Sequence, residues 1–190
     1  VVNFAAQGMD AESWVTPLDW YKTNILGQVS LIETLRKHCN IDRYIHISTP
    51  EVYGNTSGWI SENMNFAPST PYAVSRAAFD FHLNAYIKAY NFPCIWTRAA
   101  NVYGEGQQLY RVVPRAFLSA LTGRSMELHG GGLSERSFIH IEDVCSATLN
   151  ILENGKIGQT YHISTKNLIK IRTLVENIFK LCDSDFNKIV

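Results

Sequence analysis

Two short clusters bring together side chains that move protons. Ser48-Thr49-Pro50-Glu51-Val52-Tyr53-Gly54 sets a hydroxyl and a carboxylate two residues apart. The apolar run before it, Tyr44-Ile45-His46-Ile47, reads as a buried strand. Both groups then fall at a strand's C-terminal end, the edge where open α/β sheets bind ligands. Downstream, Tyr72-Ala73-Val74-Ser75-Arg76 sets a phenol and a cation four residues apart at the start of a predicted helix, on one face. A phenol beside a fixed cation releases its proton more easily, because positive charge favours the phenolate. The set offers one base for a hydroxyl proton and a carboxylate for a second transfer. Each residue also has a plainer use. Glu51 could cap its turn or pair with a cation, Thr49 could bond locally at the strand end, and a lone tyrosine usually packs with its hydroxyl satisfied.

The flanking pattern supplies elements to hold these groups. Val1–Ala6, Arg43–Thr49, Pro93–Ala99 and Thr160–Ser164 read as strands, with shorter ones at Met126–His129 and Phe138–Ile141. Between Trp20 and Cys39 the residues Ile25, Val29, Ile32 and Leu35 draw one helical stripe. Pro71 suits a helix's first turn, and Tyr72, Arg76, Phe79 and Leu83 continue a stripe toward Tyr90. Asn55–Ser69 is polar and broken by Gly and Pro, a loop. Leu109–Leu121, stopped at Gly123, and Glu142–Glu153, stopped at Gly155, read as helices, as does the amphipathic stretch around Ile171–Phe179. Strands alternating with helices predict an α/β fold with a doubly wound parallel sheet.

Bulk properties narrow the partners. Seventeen basic residues balance seventeen acidic ones, so no net field draws the 190-residue chain to nucleic acid or membrane. The four cysteines lie far apart, form no Cys-x-x-Cys, and read as reduced, mostly buried cysteines of a cytoplasmic protein. No apolar run approaches the roughly 18 residues of a membrane span. His129 and His140 are not spaced as a metal pair, and no Cys/His/Asp cluster suggests a metal site. Gly130-Gly131-Gly132 lacks the strand and helix that a dinucleotide-binding turn requires.

The two clusters resemble the extended short-chain dehydrogenase/reductase superfamily, and within it the nucleotide-sugar 4,6-dehydratases of the dTDP-glucose type, in the NAD-dependent epimerase/dehydratase family. The resemblance continues through Asn3-Phe4-Ala5-Ala6, Arg98-Ala99-Ala100-Asn101-Val102-Tyr103-Gly104 and Arg136-Ser137-Phe138-Ile139-His140-Ile141-Glu142-Asp143-Val144, in order and over nearly the whole chain. It implies a Rossmann-like sheet whose first strands and Gly-x-x-Gly-x-x-Gly turn precede Val1, so the chain is read as an internal segment that is cut again after Val190. Residues 1–104 would be the second half of the NAD-binding domain. Residues 105–190 would be mainly a substrate-binding region, with about 137–165 returning to the sheet.

The resemblance also implies roles. Tyr72 removes the sugar's 4-hydroxyl proton during oxidation at C4, Thr49 hydrogen-bonds the 4-oxygen, and Glu51 takes the C5 proton. Arg76 stands near the nicotinamide ribose together with Tyr72, while Ala5 and Ala6 let the cofactor approach the strand. Asn24 is either structural or site-supporting. Asn101 and Arg136 serve the nucleotide diphosphate, with Arg111 a further candidate for that anion or for a substrate carboxylate. Two residues depart from the pattern. Pro50 stands where these dehydratases carry an aspartic acid, and proline has no acidic proton. Arg76 stands where the family has lysine, and its planar guanidinium is no simple point charge. The implied activity is NAD-dependent 4,6-dehydration of a nucleotide-diphosphate sugar. Pro50 keeps UDP-glucuronate decarboxylation open, a 4-epimerase is a further alternative, and a non-catalytic nucleotide-sugar-binding protein is the rival of another class. A homodimer is implied through the helices near Trp20–Cys39 and Tyr72–Tyr90, where Leu31, Phe81 and Tyr86 lie beyond one core stripe.

Overall fold

A computed structural model describes residues 1–56 and 58–190. It divides into two units, Val1–Ala99 with Ala147–Ile163, and Ala100–Ser146 with Ser164–Val190. The first unit is built on a four-stranded, wholly parallel sheet of order β1-β2-β3-β7. Its strands are β1 (Val2–Asn3), β2 (Tyr44–Ile47), β3 (Cys94–Ala99) and β7 (Thr160–Ile163). β2 and β3 are buried almost throughout, which is why they read as continuous apolar runs rather than alternating ones. Tyr44 pairs with Cys94 and Ile47 with Thr97, so β2 ends just before Thr49 while β3 runs two residues further, to Ala99.

The helices of this unit are α1 (Pro17–Tyr21), α2 (Gln28–His38) and α3 (Pro71–Tyr90), with a π-helical turn, Lys22–Gly27, joining α1 to α2. Ile32 of α2 and Phe79 and Leu83 of α3 close a core with Tyr44, Phe92, Cys94 and Trp96. Local chemistry fixes the ends of α3. The Thr70 hydroxyl accepts from the Ala73 amide at 3.2 Å, Pro71 occupies the first turn, and Asn91 stops the helix in the left-handed region with φ 53°.

In the second unit β4 (Asn101–Tyr103) pairs in parallel with β6 (Phe138–His140), and β5 (Glu135–Arg136) pairs antiparallel with β8 (Ile169–Lys170). Its core joins α4 (Val112–Thr122) and α6 (Ile171–Leu181) through Ala116, Ala120, Val175, Ile178 and Phe179. α5 (Ile141–Asn154) contributes residues to both units.

Several elements differ from the sequence reading. β1 stops at Asn3 instead of Ala6, because the Asn3 side chain accepts from the Ala5 amide at 3.0 Å and turns the chain out of the ladder. Met126–His129 forms no strand, only a bridge from Met126 to Ile189. The unit boundary falls at Ala99 rather than Gly104, since Asn101–Tyr103 is a strand paired with β6. For the same reason the predicted return at 137–165 shrinks: Phe138–His140 stays with β4, and only Thr160–Ile163 rejoins the main sheet. Asn55–Ser69 holds no helix or strand among its described residues, and Ser57 lies outside them.

A 3-10 turn, Pro50–Tyr53, follows β2 and ends at Gly54 with φ 71°. A Cβ at Gly54 would run into the Ala67 carbonyl, whose own amide is bonded to the Val52 carbonyl at 3.0 Å. Positive φ and this close approach both call for glycine. Gly54→Ala is therefore expected to destabilise the fold by about 1–3 kcal/mol or more, read as a lower urea midpoint.

Candidate active site

The turn Pro50–Tyr53 is where the sequence's acid–base residues sit. Thr49, buried at its N-cap, accepts from the Glu51 amide at 3.3 Å through its hydroxyl, and Pro50 supplies the fixed φ of a first helical position. Glu51 lies in the turn's exposed first part, while Val52 and Tyr53 point inward against Ala77 of α3. The helix carrying Tyr72 and the turn carrying Glu51 are thus packed together. Tyr72 is half-buried in the first turn of α3. Its amide donates to the Ser13 hydroxyl at 3.1 Å, and its carbonyl accepts from the Ser75 hydroxyl at 2.7 Å.

Arg76, one turn after Tyr72 on α3, directs its hydrogen bonds to the strand beneath. It is buried, and its guanidinium donates to the Ile47 carbonyl and lies 3.4 Å from His46 Nε2. Its hydrogen bonds reach β2 rather than Tyr72. A longer, forked side chain can span from helix to strand in this way.

Behind the turn lies a buried ionic cluster that the sequence reading missed. Asp80 of α3 accepts from Arg98 Nη2 at 2.8 Å and from the Ser48 hydroxyl at 2.7 Å, and both Asp80 and Arg98 are fully buried. Arg98 Nη1 donates to the Tyr53 hydroxyl at 2.7 Å, which is also 3.0 Å from His162 Nε2. The Arg98 guanidinium faces the rings of Tyr53 and Phe66 at 5.1 and 4.9 Å. Burial pushes the Asp80 carboxyl up, and the charge and hydrogen bond of Arg98 pull it back. His46 is held well below its ordinary value by burial and then by the Arg76 and Arg98 charges. An arginine can only donate, so His46 Nε2 is an acceptor and the ring is neutral, although Asp80 Oδ1 stands 3.5 Å away. One signal was available in the sequence: Asp80 and Arg98 interrupt apolar stretches that are otherwise committed to the core.

A second polar group secures the exit of β1. Asn24, fully buried on the π turn, accepts from the Gln7 amide at 2.8 Å and donates to the Gln7 carbonyl and the Ser75 hydroxyl, each at 3.0 Å. Gln28 donates to the Ala5 carbonyl at 2.6 Å and accepts from Asn3 at 2.6 Å. Ala5 and Ala6 are consequently exposed, small and fixed in backbone position, an edge that could hold a flat cofactor closely. Asn24 ties the chain at Gln7, just past this edge, to Ser75 of α3.

In the second unit, Asn101 and Arg136 come onto neighbouring segments. The Asn101 amide group donates to the Ser137 carbonyl at 3.2 Å, and Arg136 is exposed with Nη1 bonded to the Glu135 carbonyl at 2.9 Å. Arg111 stands on another element, at the N-cap of α4, its guanidinium over the Tyr110 ring at 5.4 Å. Among the described residues no group of three or more His, Cys, Asp or Glu could hold a metal, and no helix is long and apolar enough to cross a membrane.

A parallel α/β sheet with acid–base residues at its strand ends defines a class, and residues 1–164 match the NAD dependent epimerase/dehydratase family; the chain belongs to that family. Among its relatives, the dTDP-glucose 4,6-dehydratase of Mycobacterium tuberculosis is 33% identical over 189 residues, covering 97% of this chain and 56% of that one. The solved structure of DesIV, a dTDP-glucose 4,6-dehydratase from Streptomyces venezuelae with NAD bound, superposes with a TM-score of 0.94 at 29% identity, covering 100% of this chain and 59% of that one. The Bacillus anthracis dTDP-glucose 4,6-dehydratase in complex with NAD gives 0.88 at 34%, with 100% and 58% covered. The chain therefore spans little more than half the length of these dehydratases.

Neutral His46 predicts a pH dependence of stability. The unfolded chain takes up a proton at this ring below about pH 6.5, whereas the folded one refuses it, so stability falls as pH drops through that value. His82 and His162, also lowered by burial, act in the same direction. A raised Asp80 acts oppositely, losing its contribution as pH rises above the ordinary carboxylate range. His46→Gln should flatten the decline between about pH 7 and pH 5, seen as urea midpoints that vary less than those of the parent.

Proposed function

We propose that the protein is an NAD-dependent nucleotide-sugar 4,6-dehydratase, a hydro-lyase that converts an NDP-hexose to its 4-keto-6-deoxy form. The observation that carries this reading is Glu51 on a turn at the C-terminal end of β2, packed against the helix whose first turn holds Tyr72. The family membership and the likeness to dTDP-glucose 4,6-dehydratases support it. Ala5 and Ala6, small and exposed beside the sheet, fit the nicotinamide side of a dinucleotide. Bound NAD supplies the hydride acceptor for C4 and, after elimination, the hydride donor for C6.

The chain's own residues handle protons. Tyr72 removes the proton of the 4-hydroxyl, and Thr49 hydrogen-bonds the oxygen left there. The new carbonyl acidifies C5–H, and Glu51 takes that proton. Pro50 offers no acid, so Glu51 also delivers the proton to the departing C6 hydroxyl, which leaves as water as the C5–C6 double bond forms. As hydride returns to C6, C5 takes a proton from solvent, and Tyr72 releases to solvent the one it removed, so no net proton is gained or lost. Arg76 joins α3 to the strand end and so keeps Tyr72 and Thr49 in step. Asn101, Arg136 and Arg111 bind the nucleotide diphosphate, their exposure supporting contact with an anion.

The same reading includes a homodimer and a cytoplasmic setting. Leu31 and Phe81 remain exposed on α2 and α3, supporting a helical interface; Tyr86 is instead spent internally, its hydroxyl donating to Glu33 at 2.5 Å. The four cysteines are free and support a reducing compartment, although only Cys94 is buried, and Cys39 and Cys145 are exposed where mostly buried cysteines were expected.

Glu51→Gln separates the steps. With NAD and a panel of dTDP-, UDP-, GDP- and CDP-hexoses, the variant should still reduce its nicotinamide yet lose C5 exchange with deuterated solvent by about 10²–10⁴-fold. Tyr72→Phe should lose the reduction itself by a similar factor. Unchanged dehydration in the Gln variant would remove Glu51 from the mechanism, and release of carbon dioxide from a uronic acid substrate would make the enzyme a decarboxylase.

A further inference from the structure

The turn that carries Glu51 is gripped from both ends by the buried cluster. On its N-terminal side the Ile47 carbonyl accepts from Arg76 and the Ser48 hydroxyl donates to Asp80 at 2.7 Å. On its C-terminal side the Tyr53 hydroxyl accepts from Arg98 at 2.7 Å. One side chain joins the two grips: Arg98 also holds Asp80, at 2.8 Å. Between them, the turn's own bonds run from the Glu51 amide to the Thr49 hydroxyl at 3.3 Å, from the Val52 amide to the Thr49 carbonyl at 3.5 Å and from the Gly54 amide to the Glu51 carbonyl at 3.0 Å, and the Ala67 amide holds the Val52 carbonyl from outside at 3.0 Å. A short 3-10 turn has poor hydrogen-bond geometry and is weakly self-supporting.

We propose that Tyr53 and Arg98 are positioning residues that hold the Glu51 turn in the geometry needed for proton transfer at C5. The inference rests on the dehydratase reading for its chemistry. Tyr53 lies two residues after Glu51 and is locked by a charged donor, by His162 at 3.0 Å and by an edge contact with Phe66, whose ring centroid is 5.7 Å away. Thr49 is served by the other grip, through Ser48 and Ile47. Loss of the Tyr53 hydroxyl therefore loosens the Glu51 side of the turn more than the Thr49 side. Displacements of about 1 Å at a reacting group cost up to about 10²-fold in rate, so a partial loosening should be visible in one step only.

Tyr53→Phe keeps the buried ring and removes this hydroxyl. In the NAD-loaded protein it should slow C5 exchange by about 10-fold while leaving C4 oxidation within about 2-fold and the sugar's KM unchanged. A second readout needs no turnover: amide hydrogen exchange at Val52 and Gly54 should quicken in the variant without a matching fall in the thermal midpoint. Should Tyr53→Phe fail to fold, Arg98→Lys provides the same test, since an ammonium can keep the charge beside Asp80 but cannot fork to Tyr53 as well. Equal slowing of both steps, no slowing of either, or unchanged amide exchange would overturn the inference. If the parent itself shows neither C4 oxidation nor C5 exchange, the dehydratase reading fails, and the amide exchange alone decides whether Tyr53 holds the turn.

Discussion

Asp80 is a carboxylate with no access to water, and the first unit is arranged around that fact. Burying such a group is tolerable only where charge and hydrogen bonds replace the lost hydration. Arg98 from β3 and Ser48 from the end of β2 supply them, so strand, helix and turn must meet in one register for any of the three to be satisfied. Sliding α3 by one turn would leave two arginines and a carboxylate buried without partners. The cluster is not saturated even so: Arg76 Nε, Arg98 Nε and His46 Nδ1 have no hydrogen-bond partner. An apolar replacement of the whole set could be as stable or more so. Its retention is better understood through the single register it enforces at the strand end.

That register matters because the candidate chemistry sits on a short turn. Pro50 stiffens the turn's entry, Gly54 permits its exit, and α3 backs it with Ala77. An aspartic acid at position 50 would add a proton donor, whereas proline restricts the backbone directly before Glu51. The turn thus offers one carboxylate on a restricted backbone in place of two acidic groups.

Much of this was legible from residue types. β2, β3, α3 and the final helix follow from buried runs, stripes and caps, each a local signal that the tertiary structure reinforces. The acid–base residues stood out for the same reason, since Thr49, Glu51 and Tyr72 occupy a strand end and a helix start that the pattern locates. What escaped is non-local. β4 is three residues long and exists through pairing with Phe138–His140, far along the chain. The role of Arg76 could not be read from its spacing to Tyr72, because the acceptor that attracts it, the Ile47 carbonyl, belongs to another element. Asp80 and Arg98 are apart in sequence and adjacent in space, so neither looked special alone.

The stripe predicted between Trp20 and Cys39 was apolar, yet the most buried residues there are Asn24, Gln28 and Ile32. Residues four apart share one side of an ordinary helix, so two amides line up with an isoleucine; each such step slightly overshoots a 3.6-residue turn, and the wider coil of the π turn takes back part of that drift. The extra residue in this turn is therefore a phase correction. It lets one continuous helical stretch present amide groups to the bare backbone at the exit of β1 and hydrocarbon to the sheet core, without a break between them. A single-residue deletion there would leave the chain helical and the sequence almost unaltered, but it would turn Asn24 out of alignment and release the edge formed by Ala5 and Ala6.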